Sequence, residues 1–272
     1  MQLQMFGDTC SYKSPLSYPG GKKHLWEFFK NFLPKDTNEI ISPFIGGGAI
    51  ELHCSVNNIK VKAADNFEPL VNFWQMLIQD SNHLVDVTRS LYPLNEEIRR
   101  FYHKTELLRF CKDEHGEILT NVKRAAIFWC INKQSFNGFT LARGIHSSAE
   151  KSSDYFERWR TWTNTNLKVE WSDCFKTIEE SNGTFMYLDP PYIGKEHYYG
   201  ANTNGKDCSF DHEKLSLILS EVESPWILSY GDHPTIRELY KDFEIITPKW
   251  KYGSKAWFGG NVNSDELFIL NL

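Results

Sequence analysis

Short apolar runs alternate with longer amphipathic segments along most of this chain, and this alternation restricts the fold more than any other feature of the sequence. The short runs have the length of buried strands, whereas the amphipathic segments repeat with a helical period. This pattern is typical of an α/β fold in which helices cover a parallel sheet. The predicted strands are 39–44, 60–64, 167–171, 184–188, 226–230, 243–247 and 266–271, and the predicted helices are 49–57, 68–79, 175–180, 212–222 and 235–241.

The alternation is interrupted once, between residues 81 and 166, where the apolar spacing is helical throughout. We therefore predict one α/β domain with a Rossmann-like sheet, made of residues 1–80 and 167–272, and a helical region, 81–166, inserted between two strands. A chain of 272 residues is long enough for such a domain and one inserted module. Within the insertion, residues 133–153 are rich in Ser, Asn, Gly and basic side chains, which indicates an exposed loop.

The composition excludes two classes of protein. Apolar residues make up 41% of the chain and aromatic residues 15%, which rules out an intrinsically disordered chain. No apolar run approaches the roughly 20 residues of a membrane-spanning helix, and the first residues lack a secretory signal. We therefore expect a soluble, cytoplasmic protein with no membrane partner. The six cysteines lie far apart, which predicts reduced thiols and no metal site.

The charge is distributed unevenly. A net charge of -5 argues against nucleic-acid binding, because affinity for nucleic acids depends largely on neutralising phosphates with Lys and Arg. Residues 121–170, however, contain eight basic and four acidic side chains, a local excess of four positive charges. Such a stretch suits a nucleic-acid-binding face on an otherwise acidic protein. Its candidate contacts are Arg124, Lys133 and Arg143.

A glycine-rich turn follows the first predicted strand. The strand leads into Gly46, Gly47 and Gly48, and a helix opens at Ala49. Glycines allow the backbone to turn sharply and to approach a ligand, and a helix N-terminus offers free amide donors. Asp65 follows Gly48 by 17 residues, near the separation of about 20 at which an acid meets ribose hydroxyls. The alternative role for Asp65 is an N-cap of the next helix, and the two roles are compatible.

The same turn narrows the class of cofactor. It is not the Gly-x-Gly-x-x-Gly form that packs around a pyrophosphate, which disfavours a nicotinamide dinucleotide. S-adenosylmethionine contains ribose and adenine but no phosphate, so it fits the turn better.

The strand 184–188 ends in Asp189, Pro190, Pro191 and Tyr192. Two adjacent prolines lack amide donors and have a rigid φ, so they end the strand and leave the Pro190 carbonyl available to a ligand. Ligands of open α/β sheets bind at the carboxyl ends of strands, where this tetrapeptide lies. The alternative is an ordinary rigid turn capped by Asp189, which the aromatic residue and the glycine-rich turn make less attractive.

The tetrapeptide suits a reaction at an exocyclic amino group. The lone pair of the adenine N6 is delocalised into the ring, so this nitrogen is a poor nucleophile. Two acceptors, the Asp189 carboxylate and the Pro190 carbonyl, would hold its hydrogens and direct the lone pair at a sulfonium methyl group. Tyr192 would stack on the base, an interaction typically worth about 1 to 3 kcal/mol. We therefore assign Asp189, Pro190 and Tyr192 as the candidate catalytic residues.

At this point the sequence resembles the Dam-type (D12 class) DNA adenine methyltransferases, and the resemblance extends in order over nearly the whole chain. It departs from the family pattern at Ser42, where the family has Glu, and at Tyr18, where it has Trp. The matching segments are 17–22 for the family's Lys-Trp-Ala-Gly-Gly-Lys, 42–48 for Glu-Pro-Phe-x-Gly-x-Gly, 64–66 for Ala-Asp-Ile-Asn, 189–192 for Asp-Pro-Pro-Tyr, 227–229 and 235–240 for Leu-Ile-Ser-Asn and the helix behind it, and 265–267 for the closing strand.

The resemblance implies an S-adenosylmethionine-dependent, site-specific methyltransferase that acts on N6 of a flipped adenine in double-stranded DNA. It also implies a helical target-recognition region and a bacterial or phage-infected host cell. The implied cofactor contacts are Tyr18, Lys22, Asp65 and Asp189, with Phe44, Gly46 and Gly48 shaping the pocket and Asp173 or Phe175 near the cofactor adenine. The implied target-reading residues are Phe136 and Asn137, with Phe136 wedging into the base stack.

Other interpretations of the same residues remain open. Lys22 is alternatively a solvated lysine, Tyr18 a core residue and Phe136 a buried aromatic beside a plain turn. The family's Arg-x-Asn-x-x-Gly-x-Phe-Asn run is replaced by residues 141–146, so the resemblance does not extend to GATC recognition. The alternative functions are methylation of cytosine N4, of a glutamine amide or of RNA, and non-catalytic DNA binding on the same fold. Asp189 in the first position of the tetrapeptide favours adenine.

Overall fold

A seven-stranded sheet forms the centre of the part of the chain that the computed structural model describes, which comprises residues 14–17, 25–104, 112, 115–135, 140, 153–160, 166–196, 209–248 and 266–272. Its strands are β1 (Glu39–Ser42), β2 (Lys60–Asp65), β3 (Leu167–Trp171), β4 (Met186–Leu188), β5 (Trp226–Gly231), β6 (Glu244–Ile246) and β7 (Glu266–Asn271). The helices of these ranges are α1 (Leu25–Phe29), α2 (Ala49–Val56), α3 (Glu68–Gln79), α4 (Ser81–Leu91), α5 (Glu96–Lys104), α6 (Asn121–Gln134), α7 (Ser153–Arg160), α8 (Cys174–Glu179), α9 (His212–Glu221) and α10 (Pro234–Leu239).

The strand order is β3-β2-β1-β4-β5-β7-β6. Strands β1 to β5 are parallel, as the alternation predicts, but β7 runs antiparallel to both β5 and β6. The expectation of a parallel sheet is therefore wrong at this edge. An antiparallel ladder lets β7 return between its two neighbours without the crossover helix that parallel pairing requires.

Helices cover both faces of the sheet, because successive strand residues point to opposite sides. Ile40 packs into a core with α2, α3 and α6, whereas Ile41 packs into a second core with α8, α9 and α10. Tyr187 joins the first core, and its neighbours Met186 and Leu188 join the second. Both faces of the central strands β1, β4 and β5 are therefore buried, which explains their mostly apolar sequences, whereas β2 and β3 alternate buried and exposed residues.

The described parts of the inserted region are mostly helical, from α4 to α7, with one isolated antiparallel bridge between Lys112 and Ile118. Helix α6 packs against α3 and α4, and its residues Ala125 to Ile131 are buried. The indole rings of Trp129 on α6 and Trp159 on α7 meet edge to face at 4.9 Å. These side chains belong to the same core as the first face of the sheet. The division into 1–80 with 167–272 and 81–166 remains a prediction.

The change in strand order determines where a ligand binds. The chain builds outward from β1 through β2 to β3, then returns to place β4 on the other side of β1. Crevices at the carboxyl ends of the strands beside such a switch point bind ligands in open α/β sheets. Because β1 and β4 are neighbours, the glycine-rich turn and the Asp189 tetrapeptide lie at the same edge. In the described ranges, no helix is long and apolar enough to cross a membrane.

Candidate active site

The turn between β1 and α2 has a backbone that only glycine adopts readily. Gly46 has a φ of 44° and Gly48 a φ of 68°, both in the left-handed region. Gly48 also lies against the indole of Trp74 on α3, and a Cβ added there would stand 2.8 Å from a ring carbon. Gly48 is therefore required both by its backbone conformation and by the ring beneath it.

Three hydrogen bonds attach this turn to the next strand and helix. The Ile45 amide donates to the Ala64 carbonyl (2.9 Å), and the Gly46 amide donates to Oδ2 of Asp65 (3.2 Å). The Trp74 indole donates to the Gly46 carbonyl (3.1 Å). The structure thus brings together the glycine turn and the carboxylate that the sequence pairs by spacing.

The Asp65 carboxylate also organises the start of α3. Its Oδ1 accepts from the amide of Phe67, which is the N-cap residue of α3 (3.0 Å). Asp65 is therefore not the N-cap residue of α3, but its carboxylate holds the N-cap residue, Phe67. Burial raises the pKa of Asp65 to about 6, although the amides of Phe67, Gly46 and Asn66 oppose the shift. A carboxylate has about four lone-pair sites, so these bonds leave capacity for a ligand hydroxyl.

Asp189 follows β4 and is oriented by the neighbouring strand. Its Oδ1 accepts from the hydroxyl of Ser229 on β5 (2.8 Å) and from the hydroxyl of Tyr192 (3.3 Å). Ser229 is fully buried and contacts the Leu188 carbonyl as well (3.3 Å). The sequence assigned no role to Ser229 beyond the family match. That match was the available sequence signal, and the contact with Asp189 appears only in the folded protein.

Tyr192 is held with one face against the protein. A Cβ added to Gly231 would stand 3.0 Å from its ring, so the ring packs directly on the backbone at the end of β5. The rings of Tyr192 and Tyr230 lie 5.8 Å apart, and the ammonium of Lys195 lies 5.5 Å from the Tyr192 centroid. Pro190, which lies between Asp189 and Tyr192 in the sequence, is buried. The three predicted catalytic residues therefore occupy one strand end.

An aromatic cluster borders the same crevice. Phe210 meets Phe44 edge to face (5.7 Å) and stacks on Phe175 with an interplanar angle of 18° (5.8 Å). The ammonium of Lys214 lies 4.2 Å from the Phe175 centroid. Sequence reasoning predicted Phe44 and Phe175 but missed Phe210, which has no distinguishing motif. Asp173, the other candidate near the cofactor adenine, caps α8 by accepting from the amides of Phe175 and Lys176 (3.0 and 3.2 Å).

A second buried carboxyl group, missed by sequence reasoning, lies beside the turn. Glu51 is in the first turn of α2 and is only 2% exposed. Its Oε1 accepts from the hydroxyl of Ser42 at the end of β1 (2.5 Å). Burial, with a smaller contribution from the charge of Asp189, raises the pKa of Glu51 to about 7 despite the Ser42 hydrogen bond. An acid in the first turn of the helix that follows the glycine turn was the available signal.

Helix α6 holds the segment that precedes the predicted cofactor residues Tyr18 and Lys22, which themselves lie outside the described residues. The Asn132 side chain accepts from the Ser17 amide (2.9 Å) and donates to the Ser17 carbonyl (2.7 Å). It also donates to the Thr140 hydroxyl (3.0 Å). Asn132 thus links the N-terminal segment to the chain beyond α6.

The two described candidates for DNA contact have partners within the protein. The Arg124 guanidinium, 13% exposed, pairs with Glu68 on α3. The Lys133 ammonium donates to the Ser17 hydroxyl (3.1 Å), and burial, with a smaller contribution from Arg158, lowers its pKa to about 8. Part of the positive excess counted from the sequence is therefore balanced locally. The other candidates, Phe136, Asn137 and Arg143, lie outside the described residues.

No cluster of three or more potential metal ligands occurs among the residues that the structure places. The crevice instead combines acceptors, aromatic rings and a glycine turn at adjacent strand ends. Such a site can hold a nucleoside by its ribose and base and can orient an amino group against a carboxylate.

The sequence of this chain is similar to those of known proteins over most of its length. The family model of the D12 class N6 adenine-specific DNA methyltransferases matches residues 18–254. A type II methyltransferase of Lactococcus lactis subsp. cremoris, M1.LlaDCHI, is 24% identical over 93% of both chains. The type II methyltransferase M.CviBI of Paramecium bursaria Chlorella virus NC1A is 23% identical over 95% of this chain and 99% of its own. The retron Ec67 DNA adenine methylase of Escherichia coli is 22% identical over 94% and 90%, respectively. The resemblance seen in the motifs is confirmed, and the chain belongs to the D12 class of N6 adenine-specific DNA methyltransferases.

Proposed function

We propose that this DNA adenine methyltransferase takes its methyl group from S-adenosylmethionine, bound in the crevice between the ends of β1 and β4, and transfers it to an adenine flipped out of double-stranded DNA. One observation carries the proposal: the glycine turn and Asp189 lie at the ends of adjacent strands. The glycine turn is held by Asp65, and Asp189 is oriented by Ser229. Similarity to two type II methyltransferases supports site-specific modification, as in restriction-modification systems.

The residues present fit this cofactor. Asp65 retains a lone pair for a ribose hydroxyl at the end of β2, where acids of such sheets bind ribose. Phe44 and Phe175, with Phe210 between them, offer apolar faces to an adenine ring. Gly46 and Gly48 keep the turn free of side chains. Asp173 and the predicted contacts Tyr18 and Lys22 complete the proposed set. When bound, S-adenosylmethionine supplies an electrophilic sulfonium methyl group.

The protein's own groups would act on the adenine amino group. Asp189 accepts one N6 hydrogen and the Pro190 carbonyl accepts the other, which directs the nitrogen lone pair toward the methyl donor. The carbon–sulfur bond of the donor would break as the carbon–nitrogen bond forms, so the positive charge would pass from sulfur to nitrogen. The adjacent Asp189 carboxylate would stabilise that charge until a proton leaves to solvent. Ser229 holds Asp189 in the required orientation. No covalent enzyme intermediate is needed.

Tyr192 would receive the flipped base. Its ring packs on Gly231 and Tyr230, and its hydroxyl donates a hydrogen bond to Asp189. These contacts fix the position of the ring before DNA binds. Stacking on a rigid ring offsets part of the cost of removing a base from the duplex, a few kcal/mol.

The helical region 81–166 is the proposed target-recognition region, with Arg124, Lys133, Phe136, Asn137 and Arg143 as DNA contacts. Lys133 donates to the hydroxyl of Ser17, which precedes the proposed cofactor contact Tyr18 in the sequence. Arg124 would contact DNA while retaining its pair with Glu68.

The proposal is tested by incubating the protein with labelled S-adenosylmethionine and duplex DNA, followed by digestion and chromatography of the nucleosides. We expect label in N6-methyladenine. Single-stranded RNA and duplexes lacking adenine serve as alternative substrates. Label in cytosine, or a preference for RNA, would contradict the proposal.

Asp65→Ala is expected to weaken S-adenosylmethionine binding by about 1 to 3 kcal/mol, because it removes a hydrogen bond to a charged group. Isothermal titration calorimetry measures the change. Asp211→Ala is the matched control, since Asp211 caps α9 through the Lys214 amide (2.9 Å) and has no predicted cofactor contact. If Asp65→Ala lowers only the thermal stability, as the control should, Asp65 is purely structural.

Lys133→Gln and Arg143→Gln together should weaken DNA binding and lower the slope of log K against log salt by about 2, since each lost phosphate contact removes about 1. Fluorescence anisotropy at several salt concentrations measures the slope. Lys241→Gln is the control, because Lys241 is an exposed residue paired with Glu238 on α10. An unchanged slope would place the DNA-binding face elsewhere on the protein.

A further inference from the structure

We propose that Glu51 is the counter-charge for the cationic methionine end of the cofactor, and that cofactor binding drives a proton off Glu51. The inference rests on the proposed S-adenosylmethionine site and adds a residue that neither the motifs nor the catalytic scheme uses. Glu51 is a positioning residue here, acting through the field that it creates in the crevice.

The geometry places the carboxyl group at the carboxyl end of β1. Glu51 lies three residues after Gly48, and its side chain turns back to meet Ser42, the last residue of the strand. Both side chains are buried. Asp189, at the end of the adjacent strand β4, is the charged group that faces Glu51 from another element. Two carboxyl groups therefore border the space assigned to the cofactor.

The remaining titratable groups around Glu51 do not supply a compensating cation in the described part of the chain. Cys54, one turn later on α2, is a buried thiol whose pKa is raised, so it stays neutral. His53 stacks on Trp26 of α1 (5.1 Å). On β2, which also packs against α2, Lys62 pairs with Glu39 at the surface.

Burial explains the raised pKa of about 7, since a low-dielectric surrounding disfavours the charged carboxylate. Near neutral pH, Glu51 is therefore about half protonated in the free protein. The bound cofactor brings a sulfonium and an ammonium group into the crevice. A nearby positive charge favours the ionised carboxylate, so the pKa of Glu51 must fall on binding and a proton must be released.

The sign of the pH dependence follows from this release. Below pH 7 the free protein binds one more proton than the complex, so affinity for S-adenosylmethionine should increase with pH. The limiting increase is about tenfold per pH unit, and it should level off above pH 7. Measurements between pH 6 and 7 avoid the titration of the cofactor's own α-amino group, whose pKa is about 7.7 to 8.0.

The test is calorimetric titration of the wild-type protein with S-adenosylmethionine in phosphate and in imidazole, two buffers with different ionisation enthalpies. The difference in observed heat counts the protons released, with no turnover and no DNA. We expect release to approach one proton at pH 6 and to be about half a proton at pH 7.

Three variants test whether the released proton comes from Glu51. Glu51→Gln should abolish the release and make affinity independent of pH. Asp211→Asn is the matched control, because Asp211 is an exposed carboxyl group that caps α9 through the Lys214 amide and has no proposed cofactor contact. It should leave the release intact. Ser42→Ala removes the bond that stabilises the ionised Glu51, so release should persist to higher pH than in the wild type.

Each outcome has one interpretation. Wild-type binding without proton release overturns the inference, and so does release that survives Glu51→Gln or disappears in Asp211→Asn. Because the wild-type measurement needs no substitution, it decides the question even if Glu51→Gln does not fold. Absence of S-adenosylmethionine binding would instead contradict the proposed function, so the two failures are distinguishable.

Discussion

Asp189→Ala is expected to reduce methyl transfer to DNA by about 100-fold to 10,000-fold, the range typical of a lost group that handles a proton and stabilises developing charge. The substitution removes the acceptor that orients the adenine amino group. DNA affinity should change little, because phosphate contacts supply most of it. Single-turnover transfer of labelled methyl groups measures the chemical step, and anisotropy measures binding.

Two further variants separate the specific role of Asp189 from the general loss of a negative charge. Ser229→Ala leaves the Asp189 carboxylate in place but removes its 2.8 Å donor, so we expect a smaller defect, of roughly tenfold, the effect of one lost hydrogen bond. Asp232→Ala removes an exposed carboxylate paired with Arg237 and should leave transfer near the wild-type rate. Wild-type activity in Asp189→Ala, or a defect confined to DNA binding, would contradict the assigned role.

Gly48→Ala is expected to lower the free energy of unfolding by about 2 to 5 kcal/mol and to abolish measurable cofactor binding. A left-handed conformation costs a non-glycine residue roughly 1 to 2 kcal/mol, and an added methyl group in a tight site costs about 1 to 3 kcal/mol more. Here that methyl group would stand 2.8 Å from Trp74. Chemical denaturation and calorimetry measure the two effects.

Gly183→Ala isolates the backbone contribution. Gly183 has a φ of 77°, but a Cβ added there would meet nothing within 4 Å, so only the conformational cost of about 1 to 2 kcal/mol applies. Combining Gly48→Ala with Trp74→Phe should cost less than the sum of the single substitutions, because the smaller ring relieves the clash. Equal losses in Gly48→Ala and Gly183→Ala would show that the contact with Trp74 contributes nothing.

Local sequence determined the elements and both strand-end motifs of this protein. The bounds of β3, β7 and α3 agree with the predicted ones, and the other predicted strands and helices agree to within about two residues at each end. Apolar period and capping are short-range properties, so they are readable from neighbouring residues. The pairing of the glycine turn with Asp65 was also predictable, because the two ends of consecutive parallel strands meet at one edge.

Tertiary structure alone decided which distant side chains pair with each other. Ser229 reaches Asp189 across 40 residues of sequence, and Arg124 is paired with Glu68 across 56. The antiparallel position of β7 likewise depends on which edge of β5 remains available. Glu51 and Ser42 are only nine residues apart, yet their bond requires α2 to fold back on β1. Hydrogen bonds and ion pairs need a specific approach of two groups, and the folded chain, not the periodicity of its residues, sets that approach.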